Sequence, residues 1–431
     1  MRHTAPSLKP VSKIPPLSPQ RHSLSNGLEV LTLNGGEDPI LHLTLLFPAG
    51  SRFQNKPLTA TSCARQLTEG GSHRHSAPVL AELTDYCGGT LQSVCDKDYA
   101  TVSLLTLRKH LESMLEALSG VLANPLFPAR ELNIHLMQEK QQWKIDSVKP
   151  RYVARVEMSS LLFGKSHPYG YVVQASDFSA LRCRDLRSFY QTHYSNPLAL
   201  LVSGQVTSQD LDLMEKHLGC LPFRNQMPLE PLKLSERSAA QNQRSHLQVS
   251  GALQSALRVA APICPADHPD AIPLMVMNTL LGGYFGSRLM KRLREEKGYT
   301  YGVYSMMVQM VHAHVLIITT EVGTGVTREA LDALYSEIDQ LRSCAPPDAE
   351  LYRVKQYLQG EMLRSFDGPF LRQERLRSLL ELQLPLDHFD RMPELIQQVT
   401  PTQVRGMAAK YLAPEGLFEV VAGDLSHQNI K

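Results

Sequence analysis

The chain has 431 residues, with 44 Lys and Arg against 42 Asp and Glu and hence a formal charge of +2. Hydrophobic residues make up 43% and charged residues 20%, enough apolar surface to exclude disorder over most of the length. The balanced charge argues against a dedicated nucleic-acid binder, and no run approaches the ~18 apolar residues of a membrane span.

At roughly 150 residues per domain, the length predicts two or three domains. The seven cysteines (63, 87, 95, 183, 220, 264 and 344) are scattered and never closer than eight apart. That spacing fits neither a disulfide framework nor a zinc ribbon, so they read as small buried hydrophobes in a reducing compartment. Residues 1–28 carry Arg2, Lys9, Lys13 and Arg21 and no acid, but Pro6, Pro10, Pro15, Pro16 and Pro19 forbid the amphipathic helix of a transit peptide. The reading is an extended arm over 1–23 and a cytoplasmic location, with the periplasm left open.

Asn26-Gly27 marks a turn, and strand patterns follow at 28–33 and 40–47. Helices are predicted at 59–68, before Gly70-Gly71, and at 77–86, before Gly88-Gly89. A strand pair at 90–94 and 100–107 comes next, then helices at 110–122, 129–147 and 153–162. The first half closes with a helix at 185–194 and a strand at 198–202 before Gly204. The second half repeats the plan: a strand at 246–259, helices at 270–281 and 287–297, and strands at 301–310 and 314–320. Helices at 327–341, 346–359, 370–382 and 402–411 and a strand at 417–421 complete it.

The segment 185–204 matches 402–423 as helix, aromatic exit, Pro, apolar strand and Gly, which marks an internal repeat. The expectation is an α+β protein of two homologous modules, at 24–221 and 244–431, each a mixed sheet with helices packed on one face. The polar stretch 222–243, with Pro222, Pro228 and Pro231, is the expected linker.

The most specific segment runs from Leu280-Leu281-Gly282-Gly283 through Ser287-Arg288-Leu289 to Arg294-Glu295-Glu296-Lys297-Gly298-Tyr299-Thr300-Tyr301. It lacks the GK[ST] ending of a phosphate-binding P-loop. This order resembles the C-terminal module of the pitrilysin/insulinase metallopeptidases, in the branch that has two modules per chain. The resemblance extends from Leu24 to Asp424, through Ala49-Gly50-Ser51-Arg52, Gly88-Gly89, Asn124-Pro125, His167-Pro168-Tyr169-Gly170 and Asn196-Pro197.

The resemblance implies an inverted zinc motif, H-x-x-E-H, with a distant Glu as third ligand. None of the 16 histidines begins such a motif. The corresponding positions fall on Thr61, Ala64 and Arg65, and the third ligand's near Gln142. A guanidinium stays protonated at neutral pH and repels zinc, and alanine moves no proton, so no cofactor is expected in this chain. The family's second constellation survives as Arg294 and Tyr301, seven positions apart. In the family these donors stabilise negative charge developing on the attacked carbonyl. The residue-level alternative is a surface arginine and a strand tyrosine.

Gln92 and Ser93 lie on the strand whose family counterpart pairs with extended peptide, and backbone pairing demands no particular side chain. His312-Ala313-His314 would present two imidazoles on one strand face, without a third ligand to name, and His73 and His75 read as loop residues. The functional expectation is a zinc-less subunit of a heterodimeric peptidase, supplying Arg294 and Tyr301 to an H-x-x-E-H partner that carries the zinc. The alternative is a scaffold or peptide-binding homodimer without hydrolytic role.

Overall fold

The computed structural model describes residues 14–223 and 243–426. The first thirteen residues of the expected arm and most of the expected linker lie outside them.

The first half opens with strands β1 (Gln20–Ser23), β2 (Glu29–Asn34) and β3 (Ile40–Phe47), then helices α1 (Thr59–Glu69) and α2 (Ala77–Cys87). The hairpin β4 (Thr90–Cys95) and β5 (Ala100–Leu107) leads to α3 (Leu111–Ala123), α4 (Ala129–Asp146) and α5 (Pro150–Phe163). Short α6 (Asp177–Ala180), α7 (Cys183–His193), β6 (Ala199–Gly204) and α8 (Ser208–Leu218) complete it. The second half comprises β7 (Arg244–Gln248), β8 (Gln254–Pro262), α9 (Ala271–Asn278), β9 (Val303–Gln309) and β10 (His314–Gly323). After these come α10 (Thr327–Ser343), α11 (Asp348–Ser365), α12 (Gly368–Glu381), α13 (Met392–Gln398), α14 (Pro401–Tyr411) and β11 (Phe418–Gly423).

The strand orders are β1-β2-β6-β3-β5-β4 and β7-β11-β8-β10-β9. In both sheets one pair is parallel, β2 with β6 and β7 with β11, and the rest are antiparallel. Apart from β1 the two sheets therefore superpose element for element, and the internal repeat is real. Residues 20–23, assigned from sequence to the arm, form the outer strand β1, and Ile14 and Leu17 ahead of it are buried.

Each sheet packs one face on its own helices. Leu41, Leu43, Leu45 and Phe47 of β3 join Ala60, Cys63 and Leu67 of α1 and Leu115 and Leu118 of α3 in the first core. The opposite faces are covered reciprocally. Ala154, Met158 and Leu162 of α5 lie on Ala256, Ala260 and Val420 of the second sheet. Leu376 of α12 lies on Leu31, Leu33 and Leu201 of the first. Equivalent helices of the repeat are thus exchanged between modules, which burial of apolar surface at ~25 cal/mol per Å² makes favourable.

A polar junction adds to this. The Asp98 carboxylate pairs with the fully buried Arg52 guanidinium at 3.2 Å and accepts a hydrogen bond from the Tyr169 hydroxyl at 2.5 Å. It also accepts one from the Val311 amide of the other module at 3.1 Å. The Gly50 amide donates to the Asp98 carbonyl at 3.2 Å, so close that a side chain at Gly50 would strike that backbone.

Two further elements and the burial of the cysteines differ from the sequence expectation. The strand expected at 246–259 is two strands, because Gly251 adopts φ +73 and its amide donates to Asp424 at 2.7 Å. The helix expected at 287–297 winds as π-helical turns over Met290–Glu296 and ends at Gly298, φ +65. Cys63, Cys87 and Cys264 are buried as expected, but Cys220 and Cys344 are exposed and Cys95 and Cys183 half-buried, each at the margin of an element.

Candidate functional site

The positions that the sequence reading assigns to the metal motif lie on α1. Thr61 is exposed, its hydroxyl donating to the Leu58 carbonyl at 3.3 Å, while Ala64 is buried in the core. Arg65 holds the centre. Its Nε donates to Glu69 at 2.7 Å, one turn on, and its guanidinium to Glu139 of α4 at 3.3 Å. A small cavity of about 150 Å³ beside them is lined by Thr61, Arg65, His135 and Glu139.

The α4 residue facing α1 is therefore Glu139, not Gln142. Gln142 is exposed and donates to Asp146 at 2.8 Å. Glu139 and Gln142 are three residues apart, only about 60° around a helix of 3.6 residues per turn, so they differ by a turn along the axis and by partner: Glu139 meets Arg65, and Gln142 turns to Asp146. Sequence reasoning also missed His135, which shares that α4 face at i, i+4 and could have been flagged by this spacing. Its Nε2 lies 3.2 Å from the Ser62 hydroxyl, and burial pushes its pKa down, keeping the ring neutral.

These residues do not fit zinc. A tetrahedral site needs several deprotonated ligands about 2 Å from the ion, and here a permanent cation occupies the space between the two carboxylates. Their lone pairs are engaged by the guanidinium. Among the described residues no group of three or more His, Cys, Asp and Glu is placed to hold a metal.

A hollow of about 420 Å³ between α1, α2 and β4 is lined by Arg65, Glu69, Gln92 and Ser93. Strand alternation leaves Gln92 exposed and Ser93 half-buried, on opposite faces of β4. Among the described residues β4 ends its sheet and pairs only with β5, which leaves its other backbone edge unpaired there.

Arg294 and Tyr301 sit at the far side of the π-helical segment. Leu281–Gly282 bring that segment against β9 so closely that a Cβ on Gly282 would meet the Ser305 hydroxyl at 2.8 Å. Glu296 is taken by Arg292 at 2.9 Å, and Arg294, with no carboxylate partner among the described residues, lies over the Phe285 ring, 4.6 Å from its centroid. Tyr301, expected inside a strand, precedes β9 in a pinned turn. The Gly302 amide donates to the Thr300 hydroxyl at 3.0 Å, and the Thr320 hydroxyl lies 2.9 Å from the Gly302 carbonyl. This turn throws the Tyr301 side chain outward, 92% exposed.

The histidine pair does not lie on one strand, since only His314 belongs to β10, although His312 is near enough to act on His314 electrostatically. His312 lies in the β9–β10 turn near Arg52, Asp98 and His167, whereas His314 begins β10 near Asp267. His73 and His75 sit in a tight turn closed by the Ser72 amide donating to the His75 carbonyl at 2.7 Å.

Comparison with known proteins agrees with this architecture. Residues 29–161 match the family model described as insulinase (peptidase family M16), and residues 182–358 match that of the peptidase M16 inactive domain. An uncharacterized zinc protease of Mycobacterium tuberculosis is 25% identical over 424 residues, covering 95% of this chain and 94% of that one. The beta subunit of the mitochondrial-processing peptidase of Rattus norvegicus is 23% identical over 374 residues, covering 80% and 72%. A crystal structure of a peptidase M16 inactive domain from Pseudomonas fluorescens superposes with a TM-score of 0.81 at 24% identity, covering 94% of this chain and 98% of that one. A protease from Helicobacter pylori gives 0.80 at 16% identity, covering 94% and 99%. The described helices are not long and apolar enough to cross a membrane. The two models of one family match in order between residues 29 and 358, and the chain is a member of the insulinase (M16) peptidase family.

Proposed function

We propose that this chain is the zinc-less subunit of a two-chain peptidase, closing one wall of the chamber and lending Arg294 and Tyr301 to a partner that carries the zinc and the general base. The observation that carries the reading is the exposed Tyr301 side chain, for whose hydroxyl no hydrogen bond is found among the described residues, in a chain whose own metal position is filled by Arg65. A neutral phenol and a fixed guanidinium fork suit a developing oxyanion. Extended peptide would align on the free edge of β4, where main-chain groups give affinity and Gln92 and Ser93 flank the path.

The test is to combine the purified chain with a separately produced H-x-x-E-H relative from the same source and assay peptide cleavage. Cleavage that requires both chains, and falls when this one carries Tyr301→Phe, is the expected result. Cleavage by the relative alone at the same rate would remove the role, and a stable homodimer that ignores the relative would favour the scaffold reading.

A further inference from the structure

α5 covers only part of the second sheet's outer face. Beyond its first turn lies a hollow of about 370 Å³, lined by Arg151, Arg258, Tyr301, Tyr304, Thr319 and Glu321 among others. The strand register explains its shape. Arg258 stands opposite Thr319 and Thr319 opposite Tyr304, one row across β8, β10 and β9, while the next row pairs Glu321 with the small Ala256.

Arg258 interrupts an otherwise apolar run, Ala256-Leu257-Arg258-Val259-Ala260. Its Nε is shielded from solvent and has no hydrogen-bond partner. Burial, then the nearby Arg155, push its pKa down, and Glu321 only partly opposes them. Neither Arg258 nor Arg151 has an ion-pair partner among the described residues. Arg151 and Arg258 line the hollow with one carboxylate, that of Glu321, while Arg155 lies near Arg258 and Asp146 near Arg151, so the lining itself is cationic. A guanidinium withdrawn from water without a partner is costly, and an incoming carboxylate can satisfy it bidentately. The resident Glu321 disfavours a dianion more than a monoanion.

We propose that this hollow binds a carboxylate of a peptide, either an Asp or Glu side chain or the C-terminus, through Arg258 and Arg151 beside Tyr301. The peptide is favoured as bearer of the charge because Tyr301 and Tyr304 share the hollow and β9 is the terminal strand of its sheet. The proposal rests on the peptide-binding reading above and names the class of peptide. Its test uses this chain alone without hydrolysis, so its failure and that of the complementation assay are read separately.

Three labelled peptides of one sequence are compared by fluorescence anisotropy: one with an internal Glu and an amidated end, one with Gln and a free C-terminus, and one with Gln and an amidated end. At least one carboxylate peptide is expected to bind about 10-fold more tightly than the neutral one, with the preference weakened by salt. Which of the two binds assigns side chain or terminus. Arg258→Gln should abolish the preference, and Arg151→Gln, at an exposed position whose loss leaves the fold intact, should reduce it. Equal affinity for all three peptides, a preference that survives both substitutions, or stronger competition by inorganic phosphate than by the carboxylate peptide would overturn the proposal.

Discussion

The α1–α4 groove and the segment ahead of β9 each hold an arginine among glutamates, and the two arginines differ in what is left for a ligand. Arg65 is gripped by Glu69 and Glu139, and its charge is spent inside the chain. Arg294 follows the same sequence logic, beside Glu295 and Glu296, yet Glu296 turns to Arg292 and leaves Arg294 on an aromatic face. Availability is set by pairing in three dimensions rather than by neighbours in sequence. In one module the arginine is paired, and in the other it is left open.

The comparison is most sharply tested at Tyr301. In the two-chain assay Tyr301→Phe should cut the cleavage rate about 10²–10³-fold, the usual cost of one oxyanion donor. A loss below about threefold would place the open site outside the chemistry.

The junction between modules comes next. Asp98→Ala strands the buried Arg52 charge and frees the Val311 amide, and should lower unfolding free energy by about 3–5 kcal/mol in denaturant melts. A change under about 1 kcal/mol would mean that the cross-packed helices hold the modules unaided.

A smaller effect concerns pH at the same place. Burial, first of all, lowers the pKa of His312, with Arg52 and His167 adding to it and Asp98 opposing. His167 is lowered by burial and by Lys97. A histidine with a depressed folded value is protonated first in the unfolded chain, so its contribution is full above the ordinary ~6.5 and is lost as pH falls below that. Glu381, pushed up to about 7 by burial, acts in the opposite sense. The histidine contribution is therefore read as a difference: His312→Gln should destabilise less on going from pH 7.5 to 5.5 than the natural chain does. An identical pH profile in the two proteins would contradict it.

The smallest effect belongs to the paired arginine. Arg65→Met removes two part-exposed ion pairs and should change stability by about 1 kcal/mol or less in the same melts. A loss of several kcal/mol would make Arg65 a structural keystone rather than a plug.

Element types and the two-module repeat were legible because apolar periodicity and Gly stops are local. Thr400-Pro401 with Gln403 shows why: the Thr400 hydroxyl accepts from the Gln403 amide at 3.3 Å and starts α14 within one residue of the expected place. The exchange of α5 and α12 was not legible, since an amphipathic pattern reveals an apolar face but not its partner. Ala49-Gly50-Ser51-Arg52 and His167-Pro168-Tyr169-Gly170 could be recognised only as separate segments, and Asp98 between them carried no signal of its own. Folding joins them at the Arg52–Asp98–Tyr169 cluster, whose partners lie 46 and 71 residues apart, beyond any local signal. Counting within one helix was enough to place Thr61, Ala64 and Arg65 together on α1, whereas the contact of Arg65 with Glu139 of α4 rather than with Gln142 is a long-range pairing that counting along the chain does not reveal.

The central claim is that Arg65 occupies the place of a metal. It is tested most directly by metal analysis of the purified natural chain beside a variant carrying Thr61→His, Ala64→Glu and Arg65→His. The account predicts no stoichiometric zinc in the natural chain, about one zinc per variant chain, and loss of that zinc on adding Glu139→Gln but not Gln142→Glu. One tightly held zinc per natural chain, lost when Glu139 is changed, would contradict it.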